Sequence, residues 1–282
     1  MYDQAIKAGS VAVITGAASG VGFVAAQRFA EAGLDVILAD LPGAALEGAA
    51  ADLSRHARPG RQVIAQPTDV AQDSDISALA DLAFATGEVA VLMNNAGIVR
   101  PTKAWGEMEN WRALLEVNFY GVLRGVQAFV PRMIEADRPG IVINTGSKQG
   151  ITTPPGNPGY NTSKAALRVL TEQIAHELRE LQAPITAHLF VPGFTYTGMI
   201  SAFMPEKPAS AWTSAQTVDY FLARLKKGDF YILCPDNDVD ESRDARRAEW
   251  AMRDISENRP ALSRWHPDYS AAFADYENTD PD

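Results

Sequence analysis

The sequence predicts an α/β fold built on a parallel sheet, and two observations predict it. Short β-branched apolar runs alternate with helical patterns of ten or more residues through positions 11–235. That alternation is the rhythm of βαβ units. The runs are also continuously apolar, as strands covered on both faces are.

The elements follow in order. "VAVITG" at 11–16 reads as a buried strand ending in glycine. A helical pattern covers 21–32 and stops at Gly33. "DVILAD" at 35–40 is a second strand, and 43–57 is Ala/Leu-rich and helical. "RQVIAQPTDV" at 61–70 holds a third strand, followed by a helix at 73–86 and the strand "VAVLMNNAG" at 89–97. A long helix is expected around 108–135, then a strand at 140–147, a helix at 158–181 and a strand at 184–193. The run 194–215 breaks the rhythm with Thr, Met, Phe, Pro and Trp, and "DFYILCP" at 229–235 is a last strand-like run. No Pro/Gly/Ser linker divides 1–235, which reads as one domain. Residues 236–282 read as a charged and aromatic extension packed on it, with a helix at 239–257.

Composition narrows the function. Of 282 residues, 46% are hydrophobic and 21% charged, with a formal net charge of -10. An acidic chain is repelled by phosphate backbones and anionic lipid, so neither nucleic acid nor a membrane is an expected partner. Cys234 has no second cysteine to pair with and reads as a small buried hydrophobe in a reducing compartment. No apolar run approaches the ~20 residues of a membrane span, and "MYDQAIKAGS" lacks a signal-peptide core, so the expected location is cytoplasmic. His56, His176, His188 and His266 are scattered, and no metal is expected.

Two features point to a dinucleotide. "TGAASGVG" joins the first strand to the first helix, with glycines at 16, 20 and 22. Glycine permits a tight turn and lets backbone approach a pyrophosphate at a helix N-terminus. The spacing is GxxxGxG rather than GxGxxG. Asp40 ends the second strand, where an acid accepts hydrogen bonds from ribose hydroxyls and repels the extra phosphate of NADP. Leu41 follows it, and no Lys or Arg lies within 16–22, so NAD is favoured over NADP.

With "NNAG" at 94–97, "VN" at 117–118, "NTGS" at 144–147, "YNTSK" at 160–164 and "PGFTYTGM" at 192–199, the order of motifs over about residues 8–235 resembles the short-chain dehydrogenase/reductase family. The resemblance implies a Rossmann-type, doubly wound sheet of seven parallel strands in three α/β/α layers. It places Gly16, Ser19, Gly20, Val21 and Gly22 at the pyrophosphate, Asp40 and Leu41 at the adenosine ribose, and Asp69 and Val70 at the adenine. Asn94 would steady the sheet, while Asn95, Ala96 and Gly97 pass close to the cofactor. Pro192, Gly193, Thr195 and Thr197 would hold the nicotinamide carboxamide. Asn118, Ser147, Tyr160 and Lys164 match the catalytic four. Gly146 stands where a first serine is frequent, and Lys148 and Gln149 stand where small or apolar residues are more common.

The catalytic four make chemical sense. Tyr160 and Lys164, four apart on a helix, share a face. A phenol titrates near ~10, and an ammonium and a positive nicotinamide beside it both favour phenolate. Tyr160 would exchange a proton with the substrate oxygen, which Ser147 orients. By the resemblance, Lys164 would also hold the nicotinamide ribose, and Asn118 would anchor a water leading to solvent. The expected activity is NAD-dependent interconversion of a secondary alcohol and a ketone. Residues 148–156, 193–212 and part of 98–105 would wall a partly apolar, ring-accepting pocket that includes Trp105, Phe194, Met199, Phe203, Met204 and Trp212. Lys148 would meet an anionic substituent or sit solvated at the rim. The resemblance also implies a homodimer or homotetramer paired through the helices around 108–135 and 158–181. Two other readings stay open: a catalytically idle NAD-binding sensor or scaffold, and an epimerase or dehydratase on the same fold.

Overall fold

Side chains of a strand alternate between the two faces of its sheet, and here both faces are covered. Val11 and Val13 enter one core while Ala12 and Ile14 enter the other. The structure, a computed structural model, describes residues 2–201 and 204–278. Its elements are α1 (Tyr2–Ala5), β1 (Val11–Thr15), α2 (Gly20–Ala32), β2 (Asp35–Asp40), α3 (Ala44–Ser54), β3 (Val63–Pro67) and α4 (Asp73–Thr86). Then come β4 (Val89–Asn94), α5 (Met108–Leu115), a π-helical turn (Glu116–Tyr120), α6 (Gly121–Ala136), β5 (Gly140–Thr145), α7 (Gln149–Thr152) and α8 (Pro158–Glu180). The rest is β6 (Ile185–Val191), β7 (Thr195–Tyr196), α9 (Gly198–Ser201), β8 (Trp212–Thr213), α10 (Ser214–Lys227), β9 (Tyr231–Leu233), α11 (Glu241–Ser256) and α12 (Ser270–Glu277).

The main sheet has seven parallel strands in the order β3-β2-β1-β4-β5-β6-β9. This is the doubly wound Rossmann-type sheet, with its switch point between β1 and β4. One core joins the sheet to α2, α3 and α10, and the other joins it to α4, α6 and α8. Gly33, at φ 97, ends α2 with its N–H bonded to Ala30 O, where the sequence places the stop.

Three differences from the sequence expectation have physical causes. The strand expected to reach residue 97 ends at Asn94, because the Asn94 and Asn95 amides bond across to Asn144 and to the backbone of Thr15 and Gly16. The long helix expected at 108–135 is broken by the π turn at 116–120. The run before the last strand contains a helix the sequence reading did not find, α10. It is opened by a reciprocal capping box between Thr213 and Gln216 and closed by Gly228 at φ 87. Its Phe221 ring lies 4.2 Å from that of Phe190 on β6. No helix among the described residues is long and apolar enough to cross a membrane.

Candidate active site

The C-terminal ends of the central strands open onto a cleft of about 780 Å³, the usual ligand position in such sheets. The β1–α2 loop forms one wall. Gly16 has φ 66, and a Cβ there would lie 2.8 Å from Ala96 Cα. A Cβ on Gly22 would lie 2.2 Å from Gly16 O, so the loop closes only with glycine. Ser19 precedes α2 without a side-chain cap, leaving the first-turn N–H groups of Gly20, Val21 and Gly22 uncapped beside the cleft. The Ala18 N–H donates to Asp40 Oδ2 and the Leu41 N–H to Asp40 Oδ1, both at 2.8 Å. The acid at the end of β2 is thus tied to the glycine loop. Asp69 and Val70 line the same end together with Thr68.

At the inner end, α8 carries Tyr160 and Lys164. Asn157 caps the helix, accepting from the Tyr160 N–H, and is itself fixed by Thr102 Oγ1 at 2.7 Å and by its own bond to Arg100 O. The loop after β4 therefore sets where Tyr160 begins. Lys164 Nζ donates to Thr145 O at 2.8 Å and lies 5.9 Å from the Tyr160 ring centroid. Burial pulls the Lys164 ammonium down to about 8. Burial raises the Tyr160 phenol above its ordinary value, opposed by a hydrogen bond with Ser147. In the free protein the phenol is therefore raised rather than lowered, because desolvation outweighs the hydrogen bond with Ser147.

Asn118 does not line the cleft. It is fully buried in the π turn and brackets Ile98, accepting its N–H at 2.8 Å and donating to its carbonyl at 3.0 Å, with a further bond to Ser163 Oγ. A Cβ on Gly97 would sit 3.3 Å from Asn118 Oδ1 and 3.7 Å from Lys164 Nζ. Asn118 thus stands directly behind the Gly97–Lys164 wall. Asn95 joins three strand ends by bonding to Thr15 O, Gly16 O and Thr145 Oγ1.

The opposite wall is the segment after β6. Pro192, Gly193, Thr195 and Thr197 all line the cleft, and Thr197 Cγ2 would lie 3.4 Å from a Cβ on Gly20, so the two walls meet there. Thr195 turns its hydroxyl toward Thr217 of α10 at 2.8 Å. Phe194, Met199, Lys148 and Gln149 line the cleft as expected. Trp105, Trp212 and Met204 do not. Trp105 is 89% exposed, and Trp212 packs on Tyr220 and donates to Asn237. Met204 stands exposed outside the cleft, and Phe203 lies outside the described residues.

The Lys148 ammonium is also not free for a substrate anion. It lies 2.7 Å from Asp244 and 3.4 Å from Asp236. Ile98, Val99 and Ile200 supply apolar lining from within the expected wall ranges, whereas sequence reasoning missed Val117, and Asp236, which reaches the cleft from beyond β9. Val117 sits inside the recognised motif at 117–118 and was within reach. Nothing local marks Asp236.

Residues 10–208 match a family model described as short chain dehydrogenase. The 1-deoxy-11-beta-hydroxypentalenate dehydrogenase of Streptomyces avermitilis is 31% identical over 230 residues, covering 79% of this chain and 83% of that protein. A short chain dehydrogenase/reductase from Burkholderia phymatum, solved in complex with NAD, superposes with a TM-score of 0.80 at 29% identity, covering 90% of this chain and 96% of that one. A short-chain dehydrogenase from Sphingobium yanoikuyae, solved with NADPH, shares the fold with a TM-score of 0.75 at 23% identity, covering 88% and 96%.

Proposed function

The chain belongs to the short chain dehydrogenase family, and from that premise we propose that it interconverts a secondary alcohol and a ketone with NAD as the preferred dinucleotide. The observation that carries the reading is the Ser147–Tyr160 hydroxyl pair beside the buried Lys164 ammonium at the inner end of the cleft.

The residues fit a dinucleotide. The glycine cradle and the uncapped first turn of α2 suit a pyrophosphate. Asp40 suits a ribose diol and disfavours a phosphate in its place. The cations among the described cleft residues are Lys148 and Lys164, which belong to the β5 side, three strands from β2. The nicotinamide supplies the hydride exchange that no side chain can perform.

The protein moves the proton. Tyr160 Oη gives it to the carbonyl oxygen during reduction and takes it from the hydroxyl during oxidation. Ser147 Oγ donates to the same oxygen and aims it. Burial keeps Tyr160 protonated in the free protein, the form that reduction needs. Oxidation needs the phenolate, so its rate rises with pH while that of reduction falls. Phe194, Met199, Ile98 and Val99 make the substrate end apolar, favouring a medium-sized, ring-bearing alcohol without an anionic group near Lys148. Exposed Tyr120, Val169 and Leu181 on the π turn and around α8 favour pairing of subunits there, and sedimentation would report the dimer or tetramer.

The test is fluorescence titration with NADH and NADPH, followed by a panel of cyclic secondary alcohols with NAD. We expect tighter NADH binding and growth of the reduced-nicotinamide absorbance. Tighter NADPH binding would overturn the assignment of Asp40. NADH binding without turnover on any alcohol or ketone would move the reading to an idle dinucleotide module or a cofactor-recycling enzyme.

A further inference from the structure

Lys148 directly follows Ser147 and carries a charge that the proposed chemistry does not use. Its ammonium lies between Asp244 Oδ2 at 2.7 Å and Asp236 Oδ2 at 3.4 Å, whose side chains are only 6% and 7% exposed. Two enclosed carboxylates on one ammonium are costly to bury, and removing the cation leaves them uncompensated. Arg247 and Arg264 are the further cations that act on Asp244.

The cluster joins three segments distant along the chain. Lys148 continues from Ser147 into α7, where the Gln149 N–H donates to Ser147 Oγ and the Ile151 and Thr152 N–H groups donate to Lys148 O at 3.0 Å. Asp236 Oδ2 also accepts the Phe194 N–H at 3.1 Å, and its Oδ1 accepts the N–H groups of Asp238 and Val239 at 3.1 and 2.9 Å. Asp244 lies in the first turn of α11. One carboxylate therefore touches the loop that follows β6 and, through Lys148, the loop that follows β5. Both acids lie beyond residues 10–208, the span of the family match.

We propose that Lys148, Asp236 and Asp244 are positioning residues: a clamp by which the C-terminal segment fixes the Ser147 loop and the 193–197 loop relative to each other. Its effect on turnover rests on the oxidoreductase reading, whereas its effect on local order does not.

The experiment is hydrogen exchange by mass spectrometry on the full chain, comparing the unsubstituted protein with Lys148→Met, Asp236→Asn and Lys148→Arg. Lys148→Met and Asp236→Asn should speed exchange at least about tenfold in both 146–153 and 192–198 and leave β1 and β4 unchanged. Lys148→Arg should restore protection. In the alcohol assay Lys148→Met should lower kcat by about tenfold to a hundredfold. If Lys148→Met does not fold, Asp244→Asn, which keeps the Lys148–Asp236 pair, should loosen 146–153. Unchanged protection in both loops, or loosening confined to 241–256, would overturn the clamp and leave the cluster a mere anchor for α11. Absence of turnover in the unsubstituted protein would count against the oxidoreductase reading, while the exchange data would still decide the clamp.

Discussion

The two walls of the cleft are held by different means. The inner wall, made of the glycine loop with Asn95 and Lys164, is fixed by backbone contact and buried polar bonds: Gly22 against Gly16 O, the Asn95 amide on Thr15 O and Gly16 O, and Lys164 on Thr145 O. The outer wall, from Phe194 to Ile200, is tied to distant parts of the chain, partly by side chains: Asp236 on the Phe194 N–H, the Trp212 N–H on Phe194 O, and Tyr196 Oη on Pro205 O. The first wall has no slack, which suits a ligand that never changes. Tethers can be exchanged without disturbing the sheet, which suits the side that chooses a substrate.

The largest expected effect lies on the inner wall. Lys164 falls from 10.5 to about 8 on folding. Between those values the unfolded chain binds the proton that the folded chain has lost, so stability from this group rises with pH, by about 3 kcal/mol across the window. Above about pH 10 the raised Tyr160 phenol opposes this gain, because the unfolded chain then ionises first. Urea unfolding at pH 8 and pH 10 should show a more favourable change in the unsubstituted protein than in Lys164→Met, the difference isolating Lys164 from the buried Cys234 thiol, whose ionisation in the unfolded chain opposes the rise. Gly22→Ala comes next, since the added Cβ would meet backbone at 2.2 Å. The strain is roughly 1–3 kcal/mol, read as a lower Tm together with weakened NADH binding.

Smaller effects test each wall by itself. Asp40→Asn should lower the preference for NADH over NADPH about tenfold, measured by paired titrations. Tyr196→Phe removes a hydrogen bond of 2.6 Å to Pro205 O on the outer wall. A bond of this kind contributes about 0.5–1.5 kcal/mol, so KM for the alcohol should rise a few-fold at constant NADH affinity. If Tyr196→Phe weakened NADH binding as much as Gly22→Ala does, the distinction between the walls would be lost.

Legibility in the sequence follows the same division. The inner wall is built from short-range patterns: continuous apolar strands ending in Thr15, Asp40, Asn94 and Thr145, with glycine turns beside them. Local periodicity and turn chemistry mark these directly. Asn118 could be singled out by its motif, yet its place behind the cleft depends on the π turn, which periodicity cannot register. The outer wall depends on partners distant along the chain, such as Lys148 and Asp236, 88 residues apart. Trp105 and Trp212 show the limit from the other side, because an aromatic near a cleft in sequence need not face it. The capping box of α10 is written locally in Thr213 and Gln216, but the irregular composition just before it hides the helix.

The most direct test of the central claim is turnover of Tyr160→Phe on a cyclic secondary alcohol with NAD, set beside its NADH affinity. Loss of a general acid–base costs roughly 10²–10⁴-fold in rate. That loss is expected with NADH binding nearly unchanged, because Phe keeps the ring in place and removes only the hydroxyl bonded to Ser147. Turnover comparable to that of the unsubstituted protein would contradict it and remove Tyr160 from the chemistry.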